Sequence, residues 1–310
     1  MRMAAVTGGS GTVGSATVRE LLEHGWQVRA LARSEASAAS FPNDVEVVRG
    51  DVGTPADLER LVDGADTVFH IAGVNSLCVK DRTSMWATNV EAPVAVYGAA
   101  SRAGIRRMVH ISSAAAVGHR TSFYAETKWA ADERLRAMAP GRSTGLVLVA
   151  PSSVQGPGRV TGTGKLILDL IDGRLKVMID TAISIIDIAD CAMAIRLAAD
   201  VDVGTDRLVL SGFTMTTRDA LELLEQDTGR HFDVRLVPSG MVRALALLGP
   251  LLSPIGRKLG VDLCAEMIRT MSVDHIHDGS DAARQLGMTY RSASETFRRL
   301  IEWTETSPSA

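Results

Sequence analysis

The chain has 310 residues, 46% hydrophobic, 22% charged and only 4% aromatic, an ordinary globular composition with enough apolar residues for a real core. Its 33 Lys+Arg against 36 Asp+Glu leave a net charge of −3, which offers no electrostatic footprint for nucleic acid or an anionic membrane. The length exceeds one usual domain and predicts a large domain plus a smaller one.

In chain order, Met3–Thr7 reads as a strand and Val13–Glu23 as a helix with Val13, Ala16, Leu21 and Leu22 toward a core. Strands follow at Gln27–Leu31 and Val45–Arg49, then a helix over Pro55–Asp63 behind the capping candidate Thr54. Thr67–Ile71 is a strand, Ser84–Ala103 a long helix kinked at Pro93, and Met108–Ser112 the fifth strand. Tyr124–Ala139 reads as a helix and Gly145–Ala150 as the sixth strand. Continuously apolar strands suit a sheet covered on both faces. Strands alternating with helices predict an α/β fold, a doubly wound parallel sheet that binds ligand along one edge.

After Pro151 the rhythm changes. Gly156–Gly164 holds four glycines and Pro157, the mark of a linker or mobile loop. Strand-like and helical pieces then mix, and Ser280–Trp303 looks mostly helical. The expected division is residues 1–155 around the sheet and 156–310 as a smaller C-terminal α/β substrate lobe, with 183–199 returning to the first domain.

Cys78, Cys191 and Cys264 fit no CxxC or zinc spacing, so they are expected to be unpaired, buried small hydrophobes in a reducing compartment. The N-terminus reaches Gly8 too soon to supply the apolar stretch of a secretory signal. No apolar run approaches the roughly 18–20 residues of a spanning helix. The nearest, Ala244–Ile255, is broken by Gly249, Pro250, Ser253 and Pro254. A cytoplasmic protein without stable membrane insertion is expected.

Thr7-Gly8-Gly9-Ser10-Gly11-Thr12-Val13-Gly14 joins the first strand to the first helix, and its glycines make G-x-x-G-x-x-G. Gly8 would allow the tight turn, Gly11 the approach of a pyrophosphate, and Gly14 close helix–strand packing. The N–H groups around Gly8, Ser10, Gly11, Thr12 and Val13 would meet the phosphates at the positive end of the helix. Arg33 follows the second strand where an NAD-selective site usually presents an acidic residue; no acid comes before Glu35. Pairing of Arg33 with a 2′-phosphate favours NADP(H) over NAD(H), which stays open. Asp51-Val52 after the third strand could accept from an adenine amino group or cap a turn, and Ile71-Ala72-Gly73 would let backbone approach the dinucleotide.

Ser112-Ser113 ends the fifth strand, and Tyr124 and Lys128 stand at i,i+4 on the next helix. A free tyrosine has a pKa near 10, so about one in a thousand is ionised at pH 7. Moving it to about 7 takes roughly 4 kcal/mol, which one cation about 4 Å away supplies at an effective dielectric near 20. Lys128, helped by an oxidised nicotinamide, is the expected source. Tyr124 would then exchange a proton with a carbonyl or hydroxyl oxygen that Ser113 holds, while hydride moves at carbon.

With these residues the sequence resembles an extended short-chain dehydrogenase/reductase over essentially its whole length. The resemblance implies a Rossmann-type fold, with TGxxGxxG at Thr7–Gly14, the acid after the third strand at Asp51, and catalytic Ser113, Tyr124 and Lys128. It also implies a hydrogen bond from Lys128 to the nicotinamide ribose. Thr88-Asn89-Val90-Glu91-Ala92-Pro93 resembles the family's N-V-x-G-T segment, with Ala92 and Pro93 in place of Gly and Thr. Ala150–Gly158 resembles R-P-x-x-V-x-G-P beside the nicotinamide, bringing in Pro151 and Ser153, although Ala150 replaces Arg. Ile185–Asp190 resembles V-H-V-x-D with Ile186 in place of His. Val28–Arg33 and the tail from Val237 are most similar to dihydroflavonol-reductase-like and 3β-hydroxysteroid-dehydrogenase-like members.

Asp274-His275-Ile276-His277-Asp278 offers metal ligands, but nothing distant converges on them, so no metal is expected. His70 and His110 lie in strand runs and read as satisfied core or edge histidines. Met241–Leu252 is apolar at near-helical spacing and could roof an apolar pocket, touch a membrane surface or pack internally. Glu295–Glu302 reads as an amphipathic helix with a charged outer face.

The expectation is an NADP(H)-dependent oxidoreductase acting on a small-molecule carbonyl or alcohol, with a homodimer implied by the resemblance. The alternatives are a nucleotide-sugar epimerase or dehydratase with tightly held NAD, which Arg33 argues against, and a non-catalytic NADP(H)-binding regulator, whose usual loss of Tyr or Lys is not seen.

Overall fold

Short runs of Val, Ile, Leu and Ala form β1 (Met3–Thr7), β2 (Gln27–Ala32), β3 (Val45–Arg49), β4 (Thr67–His70), β5 (Arg107–Ile111) and β6 (Gly145–Pro151). Shorter strands follow: β7 (Ser153–Gln155), β8 (Val177–Asp180), β9 (Ala182–Asp187), β10 (Arg207–Leu210), β11 (Phe213–Thr216) and β12 (Arg235–Pro238). The computed structural model describes residues 2–118, 120–203, 206–246 and 264–306, so the apolar stretch Met241–Leu252 lies outside them from residue 247 on.

Seven strands form one sheet in the order β10-β6-β5-β4-β1-β2-β3, and every neighbouring pair is parallel. The sequence shows why both faces are covered. Ala4 and Val6 join one core with Phe69, Val109 and Val147, while Ala5 joins the other with Val68, Met108 and Leu148. Alternate residues of each strand thus serve two helical layers. One layer contains α1 (Thr12–Glu23) through Ala16, Val18 and Leu21; the opposite layer contains Leu58 and Leu61 of the helix Pro55–Val62 and Val96 and Tyr97 of the helix Ala92–Arg102. β11-β9-β7 and β12-β8 make two small sheets over a separate apolar cluster that includes Leu170, Met215, Leu224 and Phe297.

Several expectations are corrected. β10 was not anticipated from the sequence, yet it pairs with β6 at the sheet edge. The stretch expected as one kinked helix is Arg82–Trp86, a π-helical turn over Ala87–Glu91 and Ala92–Arg102. The interruption precedes Pro93, whose missing N–H then falls in the first turn of the last segment, where none is needed. Thr54 stands at the N-cap of Pro55–Val62, but its hydroxyl accepts from no helix N–H.

The cysteines are not all unpaired. Cys78 and Cys264, 186 residues apart, form a disulfide with Cα atoms 5.9 Å apart, leaving Cys191 as the buried free thiol. Spacing along the chain carries no information on such a pair; only folding brings the segment after β4 against the start of the helix Ala265–Met271. Among the described residues no helix is long and apolar enough to cross a membrane.

Candidate active site

The turn between β1 and α1 is built by close approach. A Cβ at Gly8 (φ +72°) would lie 2.4 Å from Ala72 N, and one at Gly14 would lie 2.0 Å from the Gly8 carbonyl oxygen. Gly11 enters α1 in extended conformation, no side chain caps the helix, and its first turn holds no acid. Ser10 and Gly11 are exposed. Uncapped N–H groups at an exposed, positively polarised helix start fit the pyrophosphate of a dinucleotide.

Arg33 follows β2, is exposed, and makes no ion pair with any described residue; nearby Glu35 is engaged by Arg49 at 2.6 Å. Asp51 turns back on its own loop, Oδ1 accepting from Gly53 N at 2.8 Å, and Val52 is half-buried behind it. Ile71 and Ala72 leave β4 against the glycine turn, with Ala72 N donating to Thr7 Oγ1 at 3.4 Å. Gly73 is exposed, and a Cβ there would sit 3.3 Å from Asn89 Oδ1 and 3.9 Å from Lys128 Nζ.

The helix Phe123–Met138 begins at Ser122, whose hydroxyl accepts from Ala125 N at 3.2 Å. One turn in, Lys128 is 4% exposed and donates to the Ile111 carbonyl, the last of β5, at 2.6 Å. Burial pulls its pKa down to about 8, against the raising influence of Asp132. The Ser113 hydroxyl stands near enough to the Tyr124 phenol to favour its ionised form. Ser113, in turn, follows Ser112 at the end of β5, and its hydroxyl accepts from Ala115 N. The sheet edge, the start of this helix and the turn after β5 thus converge on one spot.

The electrostatics differ from the simple pairing expected. Burial dominates and pushes the Tyr124 phenol up, while the Ser113 hydroxyl and the cation of Arg159 pull it down. Lys128 spends its hydrogen bond on the strand-end carbonyl instead. Two neighbours complete its surroundings. Asn89, set by the π-helical turn, grips Val74 through both amide atoms at 2.7 and 2.9 Å and donates to Thr127 Oγ1 at 3.0 Å. Asp132 is fully buried between Ser112 Oγ at 2.6 Å and Arg207 Nε at 2.5 Å.

Behind Lys128 the rings of His70 and His110 stack at 5.3 Å. They are not both satisfied, as had been expected: His70 Nδ1 meets Thr7 Oγ1 at 2.7 Å, but among the described residues His70 Nε2 and both ring nitrogens of His110 lack hydrogen-bond partners, Asp132 Oδ1 lying 3.8 Å from His110 Nε2. Burial first, then Lys128, pushes both rings down, His70 to about 3. Pro151 is buried at the end of β6, and the Ser153 hydroxyl bonds Thr163 Oγ1 at 2.7 Å. Asp187 and Asp190, from the V-H-V-x-D-like segment, are ion-paired with Arg299 and Arg291. His275 Nε2 is spent on the Thr270 carbonyl at 2.8 Å, and no group of three metal-ligating side chains occurs among the described residues.

Sequence reasoning missed Asp132, Arg159 and the strap over the site. Asp132 had a signal, since it follows Lys128 by one helical turn. Arg159 had none beyond being a charge among glycines. The strap is the helix Ala265–Met271: Glu266 accepts from Phe123 N at 2.8 Å, Arg269 donates to the Thr121 carbonyl at 3.1 Å, and the Cys78–Cys264 disulfide ties its start to the segment after β4.

A parallel α/β sheet with a glycine turn at its first crossover defines a dinucleotide-binding enzyme of the Rossmann type. The chain belongs to the NAD dependent epimerase/dehydratase family, whose model matches residues 4–201. It is 29% identical over 324 aligned positions to a Synechocystis sp. protein named "Putative dihydroflavonol 4-reductase", covering 96% of this chain and 93% of that one. It is 32% identical over 197 positions to a Mycobacterium tuberculosis 3 beta-hydroxysteroid dehydrogenase/Delta 5-->4-isomerase, covering 56% of this chain and 53% of that one. The solved structure of gox2253 superposes with a TM-score of 0.86 at 24% identity, over 99% of this chain and 98% of the other, which speaks for the fold. The chain is thus a member of an NAD-dependent enzyme family, and the relatives named here are a reductase and a dehydrogenase.

Proposed function

We propose that the protein is an NADP(H)-dependent oxidoreductase that interconverts a ketone or aldehyde with an alcohol on a moderately apolar small molecule. The observation that carries this reading is the convergence of Ser113, Tyr124 and the buried Lys128 where β5 ends, with Lys128 donating to the Ile111 carbonyl at 2.6 Å. In it, residues 1–155 with 183–199 hold the coenzyme and 156–310 supply the substrate side. The glycine turn around Gly8, Ser10, Gly11, Thr12 and Val13 takes the pyrophosphate, Arg33 the 2′-phosphate, and Asp51 with Ile71–Gly73 the rest of the dinucleotide. A bound nicotinamide coenzyme supplies or accepts the hydride. Ser113 holds the substrate oxygen, Tyr124 gives it a proton in reduction or takes one in oxidation, Arg159 is the cation that favours the ionised phenol, and Lys128 orients the coenzyme ribose.

The names of the relatives, a dihydroflavonol reductase and a hydroxysteroid dehydrogenase, support a largely apolar substrate. A homodimer and a cytoplasmic setting belong to the same reading; in that setting the Cys78–Cys264 bond would meet thiol reductants. The test is NADPH oxidation against aromatic, steroidal and aliphatic carbonyls, with nucleotide sugars as controls. Turnover of a carbonyl is expected. Copurifying NAD with stabilisation by a UDP-sugar, and no carbonyl turnover, would replace the reading with an epimerase.

A further inference from the structure

Arg159 lies in the loop between β7 and the helix Thr163–Ile171, and the loop is shaped around it. A Cβ at Gly164 would come within 2.6 Å of the Arg159 Cγ and 2.3 Å of its carbonyl oxygen; one at Gly162 would come within 3.3 Å of Nη2. Two missing side chains thus make the room that the arginine stem and head occupy.

The guanidinium itself is under-used. Nη1 donates to Thr161 Oγ1 at 3.3 Å, but Nε is buried with no hydrogen-bond partner, and no carboxylate of the described residues forms an ion pair with it. A guanidinium stays charged under all ordinary conditions, and a partly buried one without a counter-charge is costly. Its loop follows β6 and β7 at the end of the strand that pairs in parallel with β5, where Ser113 stands, and the cation favours the ionised form of the Tyr124 phenol. The phosphate-binding turn belongs to the other crossover, between β1 and α1. The group that completes Arg159 is therefore expected on the substrate, close to the atoms that react.

We propose that Arg159 selects a carboxylate on the substrate near the reacting carbonyl, so that the enzyme interconverts oxo acids and hydroxy acids with an apolar body. This rests on the reductase reading above and names its substrate class. The planar fork of the guanidinium matches a carboxylate bidentately. The carboxylate is unchanged by the reaction: hydride adds to the carbonyl carbon and the oxygen takes the proton of Tyr124.

The test compares phenylglyoxylate and 4-oxo-4-phenylbutanoate with their neutral methyl esters, using NADPH and wild-type, Arg159→Gln and Arg159→Lys proteins shown to be folded by circular dichroism. Calorimetric binding of mandelate and 4-hydroxy-4-phenylbutanoate to Tyr124→Phe, with and without Arg159→Gln, runs beside it. Wild type is expected to prefer an acid to its ester by about 10- to 100-fold in kcat/KM, mainly through KM. Arg159→Gln should bring that ratio to about one, and Arg159→Lys should restore part of it. Equal use of acid and ester by wild type overturns the proposal. So does an Arg159→Gln variant that slows both alike with a displaced pH profile, since Arg159 would then act only through Tyr124. If no carbonyl is reduced but hydroxy-acid binding is lost with Arg159→Gln, the carboxylate site stands and the reductase reading fails. If neither hydroxy acid binds, the carboxylate site fails.

Discussion

The strands β1 to β6 pair in register and bury residues on both faces, whereas β8 and β12 form a two-stranded ribbon with partly exposed residues throughout. The first region is held by apolar area spread over two large clusters. The second has one small cluster and relies on discrete links: Asp187 to Arg299, Asp190 to Arg291, Glu266 to Phe123 N, and the disulfide. Diffuse burial tolerates local change, while a link fails when one partner changes chemical state. The seven-stranded sheet should therefore be indifferent to reductants and single polar substitutions that alter the two small sheets.

The largest effect separates chemistry from binding. Tyr124→Phe should lower turnover by about 10²- to 10⁴-fold while NADPH affinity, read by fluorescence titration, stays within a few-fold. Wild-type-like turnover would remove Tyr124 from the mechanism. Next comes the strap. Reducing Cys78–Cys264, or replacing Cys78 with Ser, should cost about 2–4 kcal/mol in denaturant unfolding, with NADPH binding retained. Equal loss of both would mean that the two regions unfold together and the contrast is false.

Within the coenzyme half, Arg33→Asp should shift the NADPH/NADH ratio of kcat/KM toward NADH by about 10- to 100-fold. An unchanged ratio would return Arg33 to an ordinary surface role.

Acid should reach the coenzyme half through its buried histidines. The ring of His70 is held at about 3 in the fold against 6.5 when exposed, and His110 is held well below 6.5. The unfolded chain takes up these protons as pH falls through 6.5, but the folded chain does not until far lower. Their contribution is thus complete above pH 6.5 and lost below it, at roughly 1.4 kcal/mol per pH unit for each ring. Thermal melts from pH 7 to 4 check this; a flat profile contradicts the buried neutral pair. The smallest effect concerns Lys128, whose charge is lost above about pH 8. The alkaline limb of carbonyl reduction should fall there. In Asp132→Asn it should move to lower pH, because the carboxylate that favours the ammonium is gone.

Much of the site was legible because its signals are local. The glycines of Thr7–Gly14 and the Tyr124–Lys128 spacing follow directly from one turn and one helix, and both fall where the parallel strands end. Asp51 was half legible, since its carboxylate is engaged in the turn that had been weighed against adenine recognition. Arg159 and Asp132 were not, because what matters about them is a buried Nε without a hydrogen bond from the described residues in one case and the presence of Ser112 and Arg207 in the other. His70 and His110 misled because a strand pattern reports burial but not whether a ring nitrogen finds a partner.

The sequence alone carries the six strands of the doubly wound sheet, the glycine turn and the one-turn spacing of Tyr124 and Lys128, since each depends on residues a few positions apart and on backbone geometry with short periods. The three-dimensional packing settles that β10 lies at the sheet edge, that Cys78 meets Cys264 across 186 residues, and that Arg159 forms no ion pair with a described carboxylate while it favours the ionised Tyr124 phenol. Those outcomes depend on which distant segments share a surface, and burial and charge take their values only once that surface exists.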